Sequence, residues 1–214
     1  MNYWASVFTP WDAPFDTTYW GAIDAHLADS IVLEDNFVAG AQRSGILYNG
    51  GLCPNVTSIG AGMNHSIKNN IVHSSLAGVS IYPDYSYPQL NCVLISDFIV
   101  FKSVHWGIYY QNPSSVIIDS NILVDNRVSI APLVIGPGEI THLLTNMNIQ
   151  ISNSILIGTS SSFNCLTDVK PNDFNSQWAT TIQAFGGGKT EAGNIGIITG
   201  TFLGGGNGCP RKPW

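Results

Sequence analysis

Hydrophobic and polar residues alternate in short runs along most of the chain, with the two-residue period that is typical of β-strands. One phrase recurs five times and consists of a polar residue, a polar or aromatic residue and two β-forming residues. It begins at Asp35, Asn69, Asp97, Ser120 and Asn153. Each phrase predicts a short strand that starts at a polar corner, where the chain turns.

A second strand-like element follows each of the first four phrases. It begins at Gly45, Gly78, Gly107 and Ser129. The phrases are spaced by 34, 28, 23 and 33 residues, so the longer repeats must loop out of a shorter basic unit. Such a chain can coil and stack each repeat on the previous one through parallel strand pairing, which buries a hydrophobic stripe inside.

The pattern therefore predicts an all-β fold, a right-handed parallel β-helix of about five to seven turns. We expect loops at 49–64, 82–91 and 131–147, and parallel pairing between all stacked strands. A β-sandwich is the alternative fold, but the hairpin signal that it needs occurs only at Asn49-Gly50 and Asn207-Gly208.

Three segments follow from the same pattern. Residues 1–30 form an aromatic and proline-rich N-terminal segment, residues 31–168 form the repeats, and residues 169–214 form a truncated, glycine-rich continuation of the β-helix. Within the repeats, four residues at the same position of the phrase should stack on one inner face. They are Phe37, Ile71, Ile99 and Ile122.

The composition excludes several classes of protein. Hydrophobic residues make up 44% of the chain, which argues against extensive disorder. Charged residues make up only 10% and the net charge is −6, so the chain has no basic surface for nucleic acid. No apolar run reaches the roughly 18 residues that a membrane span needs.

Cysteines and glycosylation sequons favour a secreted chain. The cysteines are Cys53, Cys92, Cys165 and Cys209, and the two sequons begin at Asn55 and Asn64. The cysteines lack the close spacing of zinc ligands, so we predict two disulfides, with four reduced core thiols as the alternative. Cys53 should pair with Cys92, since each lies at the edge of a loop on neighbouring repeats, and Cys165 with Cys209. The N-terminus does not read as a signal peptide, so for a secreted chain we expect that the sequence is a piece of a longer protein or that its true start is missing.

Few residues are candidates for catalysis. β-helix hydrolases and lyases need clustered carboxylates, but Asp35 and Asp97 of the corner column lie two repeats apart, at roughly 9–10 Å. Asp119, Asp125 and Arg127 share one repeat, yet no neighbouring repeat supplies a partner carboxylate. We therefore expect a polar ladder of hydrogen bonds at the corner and no catalytic residues.

Metal and cofactor sites are also not expected. The five histidines, at positions 26, 65, 73, 105 and 142, show no metal-ligand spacing. Gly188-Lys189-Thr190 matches the end of a phosphate-binding loop, but Gln183 stands where that motif requires its first glycine.

Six phrases between Ile31 and Asp168 resemble the parallel β-helix region of the fibrocystin and fibrocystin-like family. They occur in the family's order at residues 36–43, 48–54, 106–116, 123–126, 135–138 and 163–165. The glycine-rich tail is similar to the family more weakly. In that family the β-helix continues past such a tail, so the resemblance implies that Trp214 is not the natural end of the fold.

The resemblance implies a non-enzymatic extracellular or cell-surface protein, often associated with cilia or flagella, and no catalytic residues. With its two sequons, the chain is expected to be a glycoprotein and a rigid structural module without a cofactor. Both ends of a β-helix expose unpaired strand edges, so the expected partners are other domains of a longer chain or copies of itself in a filament. The alternative is that the aromatic N-terminal segment folds back and covers the first repeat. The alternative function is a carbohydrate-binding or polysaccharide-degrading β-helix enzyme.

Overall fold

The strands of the chain are short, and they confirm the all-β class. The computed structural model describes residues 21–25, 28, 30–54, 65–81, 92–104, 106–111, 115–126, 128–133, 148–158, 160, 180–182 and 194–203. These residues form strands and turns and contain no helix. The strands are β1 (Gly21–Ala25), β2 (Val32–Glu34), β3 (Phe37–Ala39), β4 (Ser44–Tyr48), β5 (Gly51–Leu52), β6 (Ser66–Lys68), β7 (Asn70–His73), β8 (Ala77–Ile81), β9 (Cys92–Ser96), β10 (Phe98–Phe101), β11 (Trp106–Gln111), β12 (Ser115–Asp119), β13 (Ile122–Val124), β14 (Val128–Leu133), β15 (Asn148–Ile157), β16 (Thr180–Ile182) and β17 (Asn194–Leu203).

The strands form three sheets in which corresponding strands of successive repeats lie side by side. The six-stranded sheet has the order β1-β4-β8-β11-β14-β16, and β2 pairs with β6 in a two-stranded sheet. The nine-stranded sheet runs β3-β7-β10-β13-β15-β12-β9-β5, with β17 also paired to β15. The long strand β15 pairs through its first half with β12 and through its second half with β13, so it joins the two arms of this sheet.

Pairing between the described strands is parallel, with one exception. The five phrases keep a common register, since Phe37 pairs with Ile71, Ile71 with Ile99, Ile99 with Ile122, and Ile122 with Ile155. The exception is β5, which pairs with β9 in the antiparallel direction. The prediction that all stacked strands are parallel was therefore wrong at this place.

Two of the predicted loops contain ordered strands. The segment predicted as the loop 49–64 includes β5, which returns to β9 and is held there by the disulfide between Cys53 and Cys92. The loop predicted at 131–147 begins later, because β14 continues to Leu133. The predicted loop at 82–91 lies outside the described residues.

The inner face of the repeats lies one residue further along than predicted. Val38, Val72, Val100, Leu123 and Leu156 are buried and belong to the core cluster. Their neighbours Phe37, Ile71, Ile99 and Ile122 stack in register as predicted, but they point outward, and Phe37 is 66% exposed. The prediction of an inner stack was wrong because side chains alternate between the two faces, so an error of one residue exchanges the faces.

Glycines at the second position of β4, β8 and β11 allow the sheets to approach each other. A Cβ at Gly78 would lie 2.2 Å from Cγ1 of Val100 and 2.6 Å from the carbonyl oxygen of Gly107. A Cβ at Gly45 would lie 2.2 Å from Cγ1 of Val72. The glycines that mark the second element of each repeat are therefore required by packing between sheets.

We expect Gly78→Ala to lower the free energy of unfolding by about 1–3 kcal/mol, because the added methyl group overpacks the core. The matched control is Ser129→Ala, since Ser129 lies at the equivalent position of β14 and already carries a Cβ. This control should change stability by about 0.5 kcal/mol or less, because the Ser129 hydroxyl is buried without a hydrogen-bond partner. Denaturant unfolding followed by circular dichroism measures both, and equal stability of the two variants would contradict the packing role.

Candidate functional site

The polar corner is built from a single backbone conformation that recurs in every repeat. Asp35, Asn69, Asp97, Ser120 and Asn153 all have positive φ values, between 47° and 63°. Asp and Asn tolerate this left-handed region better than most residues, because their short side chains can hydrogen-bond locally. The side chains of the first two repeats are connected, since Asn69 Nδ2 donates to Asp35 Oδ1 at 3.2 Å. The predicted column of corner residues is thus confirmed. Of the predicted ladder of hydrogen bonds between corner side chains, the bond between Asn69 and Asp35 is present.

The residue after each corner points inward, where asparagine binds the backbone of the preceding repeat. Asn121 Oδ1 accepts from the Phe98 N–H at 3.0 Å, and Asn121 Nδ2 donates to the Ile95 carbonyl at 2.9 Å. Asn70 makes the equivalent pair of contacts, to the Asn36 N–H at 3.3 Å and to the Leu33 carbonyl at 2.7 Å. Both asparagine side chains are fully buried. Each one therefore satisfies two backbone groups of the preceding repeat, and Asn121 Nδ2 also donates to the Asp119 carbonyl of its own repeat at 2.9 Å.

A second corner five residues further along uses the same arrangement. Ser74, Lys102 and Asp125 have positive φ values there, and the following residue again points inward. Asn126 accepts from the Ser103 N–H at 2.9 Å and donates to the Val100 carbonyl at 3.0 Å. These inward asparagines were not predicted, although the recurrence of Asn36, Asn70 and Asn121 directly after the corner is visible in the sequence.

Asp119 is a hydrogen-bond acceptor for the next repeat. Its carboxylate accepts from Ser120 Oγ at 2.7 Å, from Ser152 Oγ at 2.5 Å and from Asn153 Nδ2 at 2.8 Å. Partial burial acts to raise the pKa of Asp119, but the hydrogen bonds from Ser152, Ser120 and Asn153 outweigh it and lower the pKa. This carboxylate is therefore ionised at neutral pH and occupied by structural partners.

Two further carboxylates connect neighbouring repeats in the same way. Asp125, which is 3% exposed, accepts from the N–H and the hydroxyl of Ser160 at 2.5 and 2.6 Å. Glu34 accepts from Ser66 Oγ at 2.5 Å and forms an ion pair with Lys68 at 3.3 Å. Hydrogen bonds from Ser66 and Lys68 and the charge of Lys68 lower the pKa of Glu34. Arg127, the expected neighbour of Asp119 and Asp125, lies outside the described residues.

The lowered pKa of Asp119 predicts a loss of stability in acid. A carboxyl group whose pKa is depressed by folding stabilises the native state above its ordinary pKa of 3.8, and the contribution is lost as the pH falls through the depressed value. We expect Asp119→Asn to be less stable at about pH 7 and to lose less stability between about pH 5 and about pH 2. Denaturation midpoints across this range measure the effect, and parallel curves for both proteins would contradict it.

The remaining sequence candidates are only partly within the described residues. Cys53 and Cys92 form a disulfide with a Cα–Cα distance of 5.7 Å, which confirms that pairing. Cys165, Cys209, Asn55, Asn64 and three of the histidines (positions 26, 105 and 142) lie outside the described residues. His65 Nδ1 accepts from the Ile31 N–H at 3.1 Å, so this histidine has a structural contact. Within the described part of the chain, no three His, Cys, Asp or Glu side chains could together hold a metal ion.

An apolar surface was not predicted from the sequence. It is the outer side of the sheet arm made by β3, β7, β10, β13 and the second half of β15, and we call it the apolar outer face. Its side chains are Phe37, Ile71, Ile99, Ile122 and Ile155 in one column and Ala39, His73, Phe101, Val124 and Ile157 in the other. His73 stacks on Phe101 with ring centroids 4.7 Å apart, and Phe37 packs edge-on against His73 at 5.1 Å.

The chain is similar over most of its length to two kinds of large protein. It is 30% identical over 206 residues to fibrocystin from Mus musculus, which covers 96% of this chain. It is 33% identical over 201 residues to fibrocystin-L from Homo sapiens and 32% identical over 200 residues to fibrocystin from Canis lupus familiaris, each covering 92% of this chain. The similarity includes the glycine-rich tail, beyond the region that carried the resemblance in the sequence.

The chain spans only 4–5% of the length of these relatives. No protein-family model and no solved structure matches it. In the part of the chain that the structure describes, no helix combines the length and hydrophobicity of a membrane span.

Proposed function

Because this chain belongs to the fibrocystin-like family, we propose that it is a non-enzymatic structural module of an extracellular or cell-surface glycoprotein. The observation that carries this proposal is the use of the polar side chains. The described carboxylates of Glu34, Asp119 and Asp125 accept hydrogen bonds from the next repeat, so they stabilise stacking and do not form an open acid–base pair. In the proposed role the module is a rigid spacer within a surface assembly, such as the surface of a cilium or flagellum.

The rigid architecture that we propose is a right-handed parallel β-helix over residues 31–168, which continues through residues 169–214. The common register of the five phrases and the two recurring corners support it, since each repeat contacts chiefly its neighbours. Right-handed crossovers are the rule for parallel strands. Residues 1–30 are the N-terminal entry segment in this proposal, and its strand β1 (Gly21–Ala25) pairs with β4 of the first repeat.

The second candidate function is a polysaccharide hydrolase or lyase, and Asp97 is the feature that keeps it open. This corner carboxylate is exposed, and glycoside hydrolysis uses carboxyl groups that can reach the substrate. We expect no reducing ends and no unsaturated products when the chain is incubated with a panel of acidic and neutral polysaccharides. Turnover that is lost in Asp97→Asn but kept in Asp35→Asn would overturn the structural role.

Secretion predicts glycans at both sequons. We expect Asn55 and Asn64 of native material to carry N-glycans, which would keep a surface of low charge soluble. Mass spectrometry of peptides before and after enzymatic deglycosylation measures the mass shift at each site. Unmodified Asn55 and Asn64 in native material would contradict the glycoprotein assignment, and the same digest without reduction tests the pairing of Cys165 with Cys209.

The first repeat supports docking at the end of the stack. Val32 on β2 is 72% exposed, and β2 and β3 are end strands of their sheets among the described strands. An uncovered sheet edge is a template for further strand pairing. In our proposal this end docks onto other domains of a longer chain or onto copies of the module in a filament. Val32→Lys should reduce end-on assembly measured by light scattering, whereas a stable, soluble monomer of the native chain would contradict docking.

A further inference from the structure

The apolar outer face is unusual because parallel sheets are almost always buried on both sides. On the six-stranded sheet this rule holds, since Leu47 and Tyr109 lie outside the core cluster and are still 0% and 1% exposed. On the apolar outer face, by contrast, Phe37, Ile122 and Ile155 are 66%, 36% and 37% exposed. The side chains of this sheet face are therefore apolar, like those of a protein interior, but several of them are exposed to solvent.

The central strand of the face, β10, has charged residues only at its two ends. It is preceded by Asp97 at the first corner and followed by Lys102 at the second corner. Between them, Ile99 and Phe101 are the half-buried outward side chains of that strand. The charges at the two borders of the face are thus opposite at the same repeat.

We propose that two copies of this chain associate through their apolar outer faces, with a two-fold axis parallel to the direction in which the repeats stack. Such a contact is isologous, because the same surface is used by both copies. Around this axis, the strands of the two copies run in opposite directions. Each repeat of one copy lies opposite the same repeat of the other copy. Asp97 of one copy then lies opposite Lys102 of the second copy, and the pair occurs twice.

The charges select this axis over the other possible one. A two-fold axis parallel to the strands would place the first corner of one copy opposite the first corner of the other, so Asp97 would face Asp97. Like charges at a contact are unfavourable, and the net charge of −6 on each copy adds a general repulsion. With the proposed axis, the contact lies on the uncharged part of the surface. Each Asp97 at the border then faces Lys102 of the other copy, which has the opposite charge.

The size of the face indicates a weak dimer. Five strands spaced by about 4.8 Å give a face about 20–25 Å long. Its exposed side chains amount to on the order of 500 Å² for each copy, compared with about 800 Å² per partner in a standard interface. We therefore expect a reversible dimer with a Kd on the order of 100 μM.

Sedimentation equilibrium over a concentration series tests the proposal, with Val32→Lys present in every variant to suppress end-on assembly. We expect a monomer–dimer equilibrium that Ile99→Lys weakens at least tenfold, because the added charge lies at the centre of the face. The matched control is Ile117→Lys, which places the same charge on a half-buried outward position of β12, outside the face. This control should dimerise like the native chain. Circular dichroism shows whether each variant is folded.

A second pair of variants tests the axis. Asp97→Lys and Lys102→Asp should each weaken the dimer, and their combination should restore it because the opposite charges are exchanged. Lys102 already has a positive φ of 54°, so lysine is tolerated in this corner conformation. Two single variants that weaken the dimer without recovery in the double variant would overturn the proposed axis.

Other occupants of the face give different results. A native chain that stays monomeric at about 1 mM overturns the proposal, and pelleting of that chain with phosphatidylcholine vesicles would assign the face to a lipid surface instead. Equal dimerisation of Ile99→Lys and Ile117→Lys also overturns it. Val32→Lys separates this contact from the end-on docking proposed above, since it should reduce end-on assembly and leave the lateral dimer unchanged.

Discussion

Asn121→Ala is expected to lower the free energy of unfolding by about 3–5 kcal/mol, because it leaves two buried backbone groups without partners. The Phe98 N–H and the Ile95 carbonyl both bond to the Asn121 side chain, and residues 95 and 98 are fully buried. Each unsatisfied group costs about 1–3 kcal/mol, and the lost side chain leaves a small cavity in addition. Urea unfolding of the native chain and the variant measures this difference.

Asn121→Ser is the matched variant, since serine occurs naturally at the equivalent position of the next repeat. There Ser154 Oγ accepts from the Asn121 N–H at 3.1 Å but donates within its own repeat, to the Ser152 carbonyl at 2.8 Å. Serine at position 121 should therefore keep the contact to Phe98, lose the contact to Ile95 and cost about half as much as alanine. Equal losses for alanine and serine would show that side-chain volume, and not hydrogen bonding, sets the effect.

Removal of the disulfide in Cys53→Ser/Cys92→Ser should lower the free energy of unfolding by about 4 kcal/mol. The bond joins residues separated by 39 positions, and in the chain-entropy account its main effect is to restrict the unfolded chain. It also holds β5 against β9, where Gly50 has a φ of 83° and a Cβ would lie 2.0 Å from Cγ1 of Val93. Chemical denaturation of the oxidised native chain and the double variant measures the loss.

Reduction of the native chain provides the control for this prediction. The reduced native chain should be destabilised further than the double variant, because reduction also breaks the predicted bond between Cys165 and Cys209. A reduced native chain as stable as the double variant would contradict that second bond. A double variant as stable as the oxidised native chain would contradict a stabilising role for the bond.

The repeat pattern predicted the strands and corners well because both are encoded locally. Asp35, Asn69, Asp97, Ser120 and Asn153 are all corner residues, and the strands that follow them pair in the expected register. Corner residues and alternating runs are visible within a few positions of sequence. The pairing of Cys53 with Cys92 was also predictable, because both lie beside insertions in neighbouring repeats.

The assignment of inner and outer faces was less predictable, for a physical reason. In each phrase the third and fourth residues are both β-forming, as in Phe37-Val38 and Ile71-Val72, so hydrophobicity alone does not determine which one is buried. The residue after the corner determines which face is buried. Where this residue is asparagine, as at Asn70 and Asn121, its side chain must point inward to reach the preceding repeat. The antiparallel pairing of β5 depends on contacts between distant residues, and no local signal specifies it.

The link between Cys53 and Cys92 also has a mechanical consequence. When the chain is pulled from its two ends until its repeats unfold, the force follows the covalent path. The disulfide is a covalent link that bypasses the second repeat. The residues between the two cysteines therefore do not carry the applied force. The oxidised native chain pulled from its ends should extend by about 130 Å less than the oxidised Cys53→Ser/Cys92→Ser variant, at about 3.4 Å for each of the 39 residues in the bypassed segment.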